Sequence, residues 1–220
     1  MKLLIKSTLI LATLFLSTFI VIKFTGLLTV EDIEAMFETL KSQPSYLLGG
    51  VVILLLFADL FIAIPTMTVI LLAGFFIGYP IAPLFVFIGL LLAAFTGYFL
   101  SRLWGEKLLR KIEPDENQII QMQTLFDKHG MLVLILSRAI PILPEVSACL
   151  AGASKMPFSK FVLGWSLGTI PYLLIVTYSG SISDINNPFP AILTAIAVTT
   201  TLWFTWAWFL HRKMRTKSAI

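Results

Sequence analysis

Charge is what this chain has least of. Of its 220 residues only 13% are charged while 58% are hydrophobic, and the mean hydropathy is +0.93. A soluble domain carries roughly 25% charged residues, because it must cover its surface with groups that water can solvate. That deficit excludes a soluble globular domain and makes lipid the solvent for most of the chain. Cysteine is nearly absent too: Cys149 stands alone, which excludes an intrachain disulfide and a thiolate metal cluster. Histidine occurs only as His129 and His211, both outside the apolar runs. Without a G-x-S-x-G elbow, an H-E-x-x-H pair or a Cys/His ligand spacing, the sequence points away from an enzyme and calls for no cofactor and no metal. The net charge of +4 does not imply nucleic acid, because the basic residues flank apolar segments instead of forming one patch.

What remains is a succession of apolar segments of membrane-crossing length. A helix needs about 20 apolar residues to cross a bilayer. Residues 3–22 form a first span and read as an uncleaved anchor, the run being long and without a small-x-small cleavage site. Residues 27–44 are acidic, with Glu31, Asp32, Glu34 and Glu38 at helical spacing. Residues 46–64 are apolar except for Asp59 and are interrupted at Pro65; residues 66–78 are apolar again, and 84–103 form a clean span. Between 105 and 130 acidic and basic residues mix. Pro114 suits the first turn of a helix whose stripe of Ile119, Met122 and Phe126 marks it as amphipathic, lying on the cytoplasmic surface and stopping at Gly130. Residues 131–153 are membrane-like yet hold Arg138, Pro141, Pro144 and Glu145. Residues 161–178 form a span, 181–190 an Asn-rich outer loop, and 191–210 a last span with Trp203, Trp206 and Trp208 towards its basic end.

Parity organises these segments. Basic ends place both termini, the surface helix and the Lys155 region in the cytoplasm, and the acidic and Asn-rich stretches outside. Residues 131–160 then begin and end on one side, while 46–104 cross an odd number of times. The economical solution is an all-α polytopic membrane protein with four transmembrane helices, two opposed re-entrant helical hairpins and a cytoplasmic amphipathic helix. The domains are an anchor (1–26), an acidic extracytoplasmic segment (27–44), a core (45–180), an outer loop (181–190) and a final helix with a basic tail (191–220). The two odd segments resemble each other, each running from a charge (Asp59 or Arg138) through a proline break to a Leu-Ala-Gly step and a glycine-bearing span. Inserted from opposite faces, they make an inverted repeat of the kind transporters use.

Charges at a helix centre cost about 2.5–3.5 kcal/mol on insertion scales, so intramembrane ions usually mark a pathway. Asp59, Arg138 and Glu145 are therefore the candidate substrate-binding residues. Arg138 offers a permanently charged donor fork for a phosphate, and the carboxylates offer proton sites. The rival structural reading is an ion pair that holds the breaks together. Pro65, Pro141 and Pro144 mark hairpin tips or hinges, and Gly74, Gly78, Gly152 and Gly168 close helix packing.

The run Ser137-Arg138-Ala139-Ile140-Pro141-Ile142-Leu143-Pro144-Glu145, continued by Ala151-Gly152, Met156, Phe161 and Gly168, resembles the motif of the DedA (VTT-domain) family. Ile64-Pro65 followed by Ala73-Gly74-Phe75-Phe76-Ile77-Gly78 is similar to its first half, and the resemblance covers about residues 45–180. It implies two opposed re-entrant hairpins and a role in moving lipids or polyprenyl phosphates between leaflets of the bacterial inner membrane, often proton-coupled. Where many bacterial members have a second arginine, this chain has Pro144, which places it nearer a branch with a P-x-x-P tip. The resemblance implies membrane lipids, phospholipid or polyprenyl phosphate, as partners, with protons as coupling ions; a second copy of the chain is a further candidate partner. A proton- or ion-coupled carrier of a small solute and a non-transport membrane scaffold are the alternatives.

Overall fold

The structure describes residues 30–62, 64–112, 116–139 and 143–183, with isolated positions on either side. Most of the first and last spans, Pro114, Pro141, Asn186, Asn187, the tryptophans at 203, 206 and 208 and His211 lie outside the described residues. In the computed structural model of the chain, every regular element among the described residues is helical. The elements are α1 (Val30–Leu40), α2 (Ser45–Ala58), α3 (Thr66–Ile77), α4 (Ala82–Ile112), α5 (Glu116–Leu136), a short 3-10 turn (Ser137–Ala139), α6 (Leu143–Ala153) and α7 (Phe158–Ser181). Two stretches are long and apolar enough to cross a bilayer, Ala82–Gly105 within α4 and Phe158–Ser181. The apolar helices α2, α3 and α6 are shorter.

The breaks fall where prolines stand. α2 ends at Ala58 and α3 begins at Thr66, with Pro65 at the junction. Proline disfavours helical geometry in the residue before it, here Ile64, and its fixed φ suits a helix start. In the second segment α5 ends in the 3-10 turn, and Pro144 sits in the first turn of α6, where its missing N–H costs nothing. Pro171, by contrast, lies inside α7 without ending it. Gly130 does not stop a helix either: α5 runs on to Leu136, so the amphipathic stretch and the approach to the second break are one rod. A glycine costs a helix interior only about 1 kcal/mol. Here its bare Cα accommodates the Phe126 ring, which a Cβ would overlap. Lys160 on α7 holds this rod through Asp127 at 2.9 Å.

Helix pairing follows a rule of exchange. α2 packs on α4 and α5 on α7; α3 packs across on α7 and α6 across on α4. Swapping the trio α2, α3, α4 for α5, α6, α7 leaves this list unchanged. The closest approaches obey the same rule. A Cβ on Gly74 of α3 would overlap the carbonyl oxygen of Thr177 on α7, and one on Gly152 of α6 would overlap that of Tyr98 on α4. Gly89 lies against the backbone of Ile53 on α2, and Gly168 against that of Ile135 on α5. Small residues let helix backbones approach where lipid supplies no hydrophobic drive. Gly78 serves differently: nothing lies within 4 Å of its would-be Cβ, and its φ of +85° ends α3.

Outside this core, α1 lays its acidic face outward and buries Ile33 and Phe37 completely, the latter 5.6 Å from the Phe76 ring of α3. Leu54, Leu84, Leu103, Leu163 and Leu167 are exposed, as expected of a surface that meets lipid rather than water.

Candidate functional site

Both breaks deliver their charges to one place. Asp59 is the residue that follows α2, only 7% exposed, and its carboxylate folds over the start of α3. The Ile64 N–H donates to Oδ1 at 2.8 Å and the Thr66 hydroxyl to Oδ2 at 2.6 Å. Both donors belong to the tip or the first turn of α3, where an anion also meets the positive end of the helix dipole. Asp59 thus closes its own break. Replacing Thr66 by Val is expected to remove a hydrogen bond to a buried carboxylate and to destabilise the fold by about 1.5–3 kcal/mol, read as a lowered melting temperature in micelles.

Arg138 stands in the 3-10 turn after α5, and Glu145 in the first turn of α6. The Arg138 guanidinium lies over the Tyr172 ring of α7, 5.4 Å from its centroid. Its Nε and Nη2 donate to the Thr169 hydroxyl at 3.4 and 3.3 Å. One edge and one face of the fork are therefore held by α7. Ser137 donates to the Leu134 carbonyl at 2.7 Å and Ser147 to that of Pro144 at 2.9 Å, which stabilises the turns around the break.

Asp59, Arg138 and Glu145 lie within electrostatic reach of one another. Among the described residues, however, neither carboxylate closes to an ion pair with Arg138. All three line one cavity with Pro144 and with apolar side chains that include Leu56, Leu60, Leu90 and Trp165. It has room for about one water molecule. That space is too small for a headgroup phosphate.

The structure brings Asp59, Arg138, Glu145 and Pro144 together, with Pro65 at the start of α3 next to the Asp59 cap. Gly74, Gly152 and Gly168 lie at helix contacts away from the cavity. Sequence reasoning missed Thr66, Trp165, Thr169 and Tyr172. Thr66 had a local signal, a hydroxyl just after the proline that follows a buried acid. The three α7 residues had none, since a Trp, a Thr and a Tyr in an apolar span read as ordinary span residues.

Charged groups at two helix breaks, between helices of membrane-crossing length, define an integral membrane protein of the helical class. Comparison with known proteins narrows this. The VTT domain pattern matches residues 64–182, more than half of the chain. The chain belongs to the VTT-domain (DedA) family. It is 27% identical over 150 residues to an uncharacterized membrane protein of Buchnera aphidicola, an alignment covering 60% of this chain and 58% of that one. It is 29% identical over 98 residues to Protein DedA of Escherichia coli, covering 41% of this chain and 45% of the relative. With Undecaprenyl phosphate transporter A of Bacillus subtilis it shares 29% over 106 residues, 43% of this chain and 54% of the relative. The chain thus spans about half the length of the curated relatives it matches. No solved structure matches it.

Proposed function

We propose that this protein moves lipids or lipid-linked phosphates between the leaflets of a bacterial inner membrane, by alternating access rather than by chemistry. The observation that carries the reading is the meeting of Asp59, Arg138 and Glu145, from two proline-marked breaks, in one small cavity. In this account α2–α3 and α5–α6 are re-entrant hairpins inserted from opposite faces. Broken backbone survives in a bilayer only where protein or water shields it, and here each break shields the other. The exchange rule of helix pairing and the matched glycine contacts support an inverted repeat, in which two equivalent closures around one central site give two access states. The name of the Bacillus subtilis relative supports a lipid-phosphate cargo.

Arg138 would take the headgroup phosphate, as a planar guanidinium suits a phosphate better than a lysine does. Thr169 and Tyr172 would fix its orientation. Glu145, which lines the cavity, is the candidate coupling carboxylate, while Asp59 is occupied in closing its own tip. Acyl chains would stay in the bilayer against the exposed leucines. Because the cavity holds no more than about one water, headgroup entry requires one hairpin to move away from the other.

The test is reconstitution of the full chain into vesicles with labelled phospholipid or labelled polyprenyl phosphate. Faster leaflet exchange than in empty vesicles is expected for at least one class. Exchange equal to empty vesicles for both classes, alongside solute-driven proton flux, would transfer the function to a small-solute carrier.

A further inference from the structure

α7 turns one stripe of side chains towards the cavity. Trp165, Thr169 and Tyr172 stand at i, i+4 and i+7, a spacing that sets three residues on one face of a helix. The rotation of that face is fixed at its flank, where Gly164 lies against Leu134 and Gly168 against Ile135 of α5. Two members of the stripe hold Arg138: Thr169 accepts from its guanidinium and Tyr172 lies under it. The third, Trp165, lines the cavity that Asp59, Arg138 and Glu145 share. It is 3% exposed, with the Phe87 ring of α4 5.9 Å from its own.

Size sets Trp165 apart. The other apolar side chains that line the cavity are those of leucines, alanines and a proline, so the indole is the largest group on its wall. The fold does not ask for that bulk at such a position. In the register that pairs Gly89 with Gly168, the place of Trp165 is taken on α4 by Val86, which is fully buried with a far smaller side chain. The indole thus belongs to the Arg138 side of the cavity alone. Because Arg138 is tied to α7 through Thr169 and Tyr172, Trp165 stays on the same wall as the guanidinium for as long as those contacts hold. Once the breaks part, a phosphate held by Arg138 meets the indole as a fixed wall, and any substituent on that phosphate must pass it.

We propose that Trp165 is a specificity-determining residue, which sets the largest headgroup that the Arg138 site admits. It leaves room for a phosphate with little attached and disfavours phosphodiesters of a bulky alcohol. This rests on the lipid-moving function proposed above and adds the side chain that selects among lipids.

The test uses the full chain in vesicles with two chain-labelled lipids, and reads exchange rates above those of empty vesicles. Phosphatidic acid carries the bare phosphate, and phosphatidylinositol carries the same phosphate with an inositol ring. Wild type is expected to move phosphatidic acid about 10-fold faster or more, as even one surplus methylene in a fitted pocket gives discrimination of that order. Trp165→Leu is expected to cut the ratio to about 2, with Trp165→Phe between the two. A tryptophan that only fills the core would slow both lipids together and leave the ratio untouched. Trp165→Phe is the milder truncation and gives the same reading should the leucine variant fail to fold. A wild-type ratio that persists in the variants overturns the proposal and leaves lipid movement standing, as does a wild type that moves both lipids equally. Wild type that moves neither overturns it too, and movement of labelled polyprenyl phosphate in the same vesicles then shows that the lipid function itself survives.

Discussion

Arg138→Gln is expected to slow leaflet exchange of the transported lipid by about 30-fold or more, with the protein still folded. Removing one partner of a desolvated, hydrogen-bonded charge interaction costs about 2–5 kcal/mol, and the lower bound already corresponds to that factor. Glutamine keeps much of the side chain's length and one donor group, so the loss isolates the charge and the fork. Arg138→Lys should fall between, because an ammonium supplies charge without the planar pair of donors. The role of α7 is read by coupling. Tyr172→Leu removes the ring under the guanidinium and is expected to slow exchange about 5-fold, the worth of roughly 1 kcal/mol of cation–π contact. In the Arg138→Gln background the same substitution should do nothing further, whereas a merely structural tyrosine would add its damage in both. Tyr172→Phe retains the ring and should stay near wild type.

Gly74→Leu and Gly152→Leu are expected to abolish the folded protein, and to do so to the same degree. At both positions a Cβ would overlap a backbone carbonyl oxygen, of Thr177 and of Tyr98 respectively, and backbone cannot step aside as a side-chain tip can. Overpacking a tight contact costs about 1–3 kcal/mol and sometimes more. Here it also prises apart α3 from α7, or α6 from α4, the contacts that carry one half of the molecule across onto the other. Gly50→Ala provides the control: nothing lies within 4 Å of its Cβ position, and alanine favours the helix by up to about 1 kcal/mol. Its variant should therefore express and melt like wild type or better. If Gly152→Leu melts alongside wild type, the close α4–α6 approach is wrong.

Local features were legible in the sequence because they are written locally. The expected apolar stretch 66–78 is the helix Thr66–Ile77, and the break before it follows from what Pro65 does to its neighbour. Asp59, Arg138 and Glu145 stood out because a charge in an apolar run has no cheap alternative explanation. Errors arose where a local signal competes with packing. Gly130 looked like a stop, but the flanking turns are good helix and the Phe126 ring uses its bare Cα. Gly78 looked like its packing neighbours and is instead a positive-φ terminator. What the sequence could not disclose is partnership across the fold. Thr169 meets Arg138 from 31 positions away, and the orientation of α7 that brings it there depends on Gly168 meeting Ile135 and Gly180 meeting Leu71. No period along α7 distinguishes Thr169 from its other apolar-facing residues. The Leu-Ala-Gly steps showed that something repeats, while the carbonyls they rest on, those of Thr177 and Tyr98, became visible only in three dimensions.

The central claim is that lipid passes through the cavity between the two breaks, and that the breaks must part for it to do so. Leu60 follows the first break's acid and Pro144 opens the second arm, and both line that cavity. Cysteines at these two positions, in a Cys149→Ala background that removes the sole native thiol, can be bridged by a short cleavable bis-thiol reagent in reconstituted vesicles. Leaflet exchange measured before bridging, after it and after reductive cleavage should run, stop and resume. Exchange continuing at the unbridged rate, with bridging complete, would contradict the account.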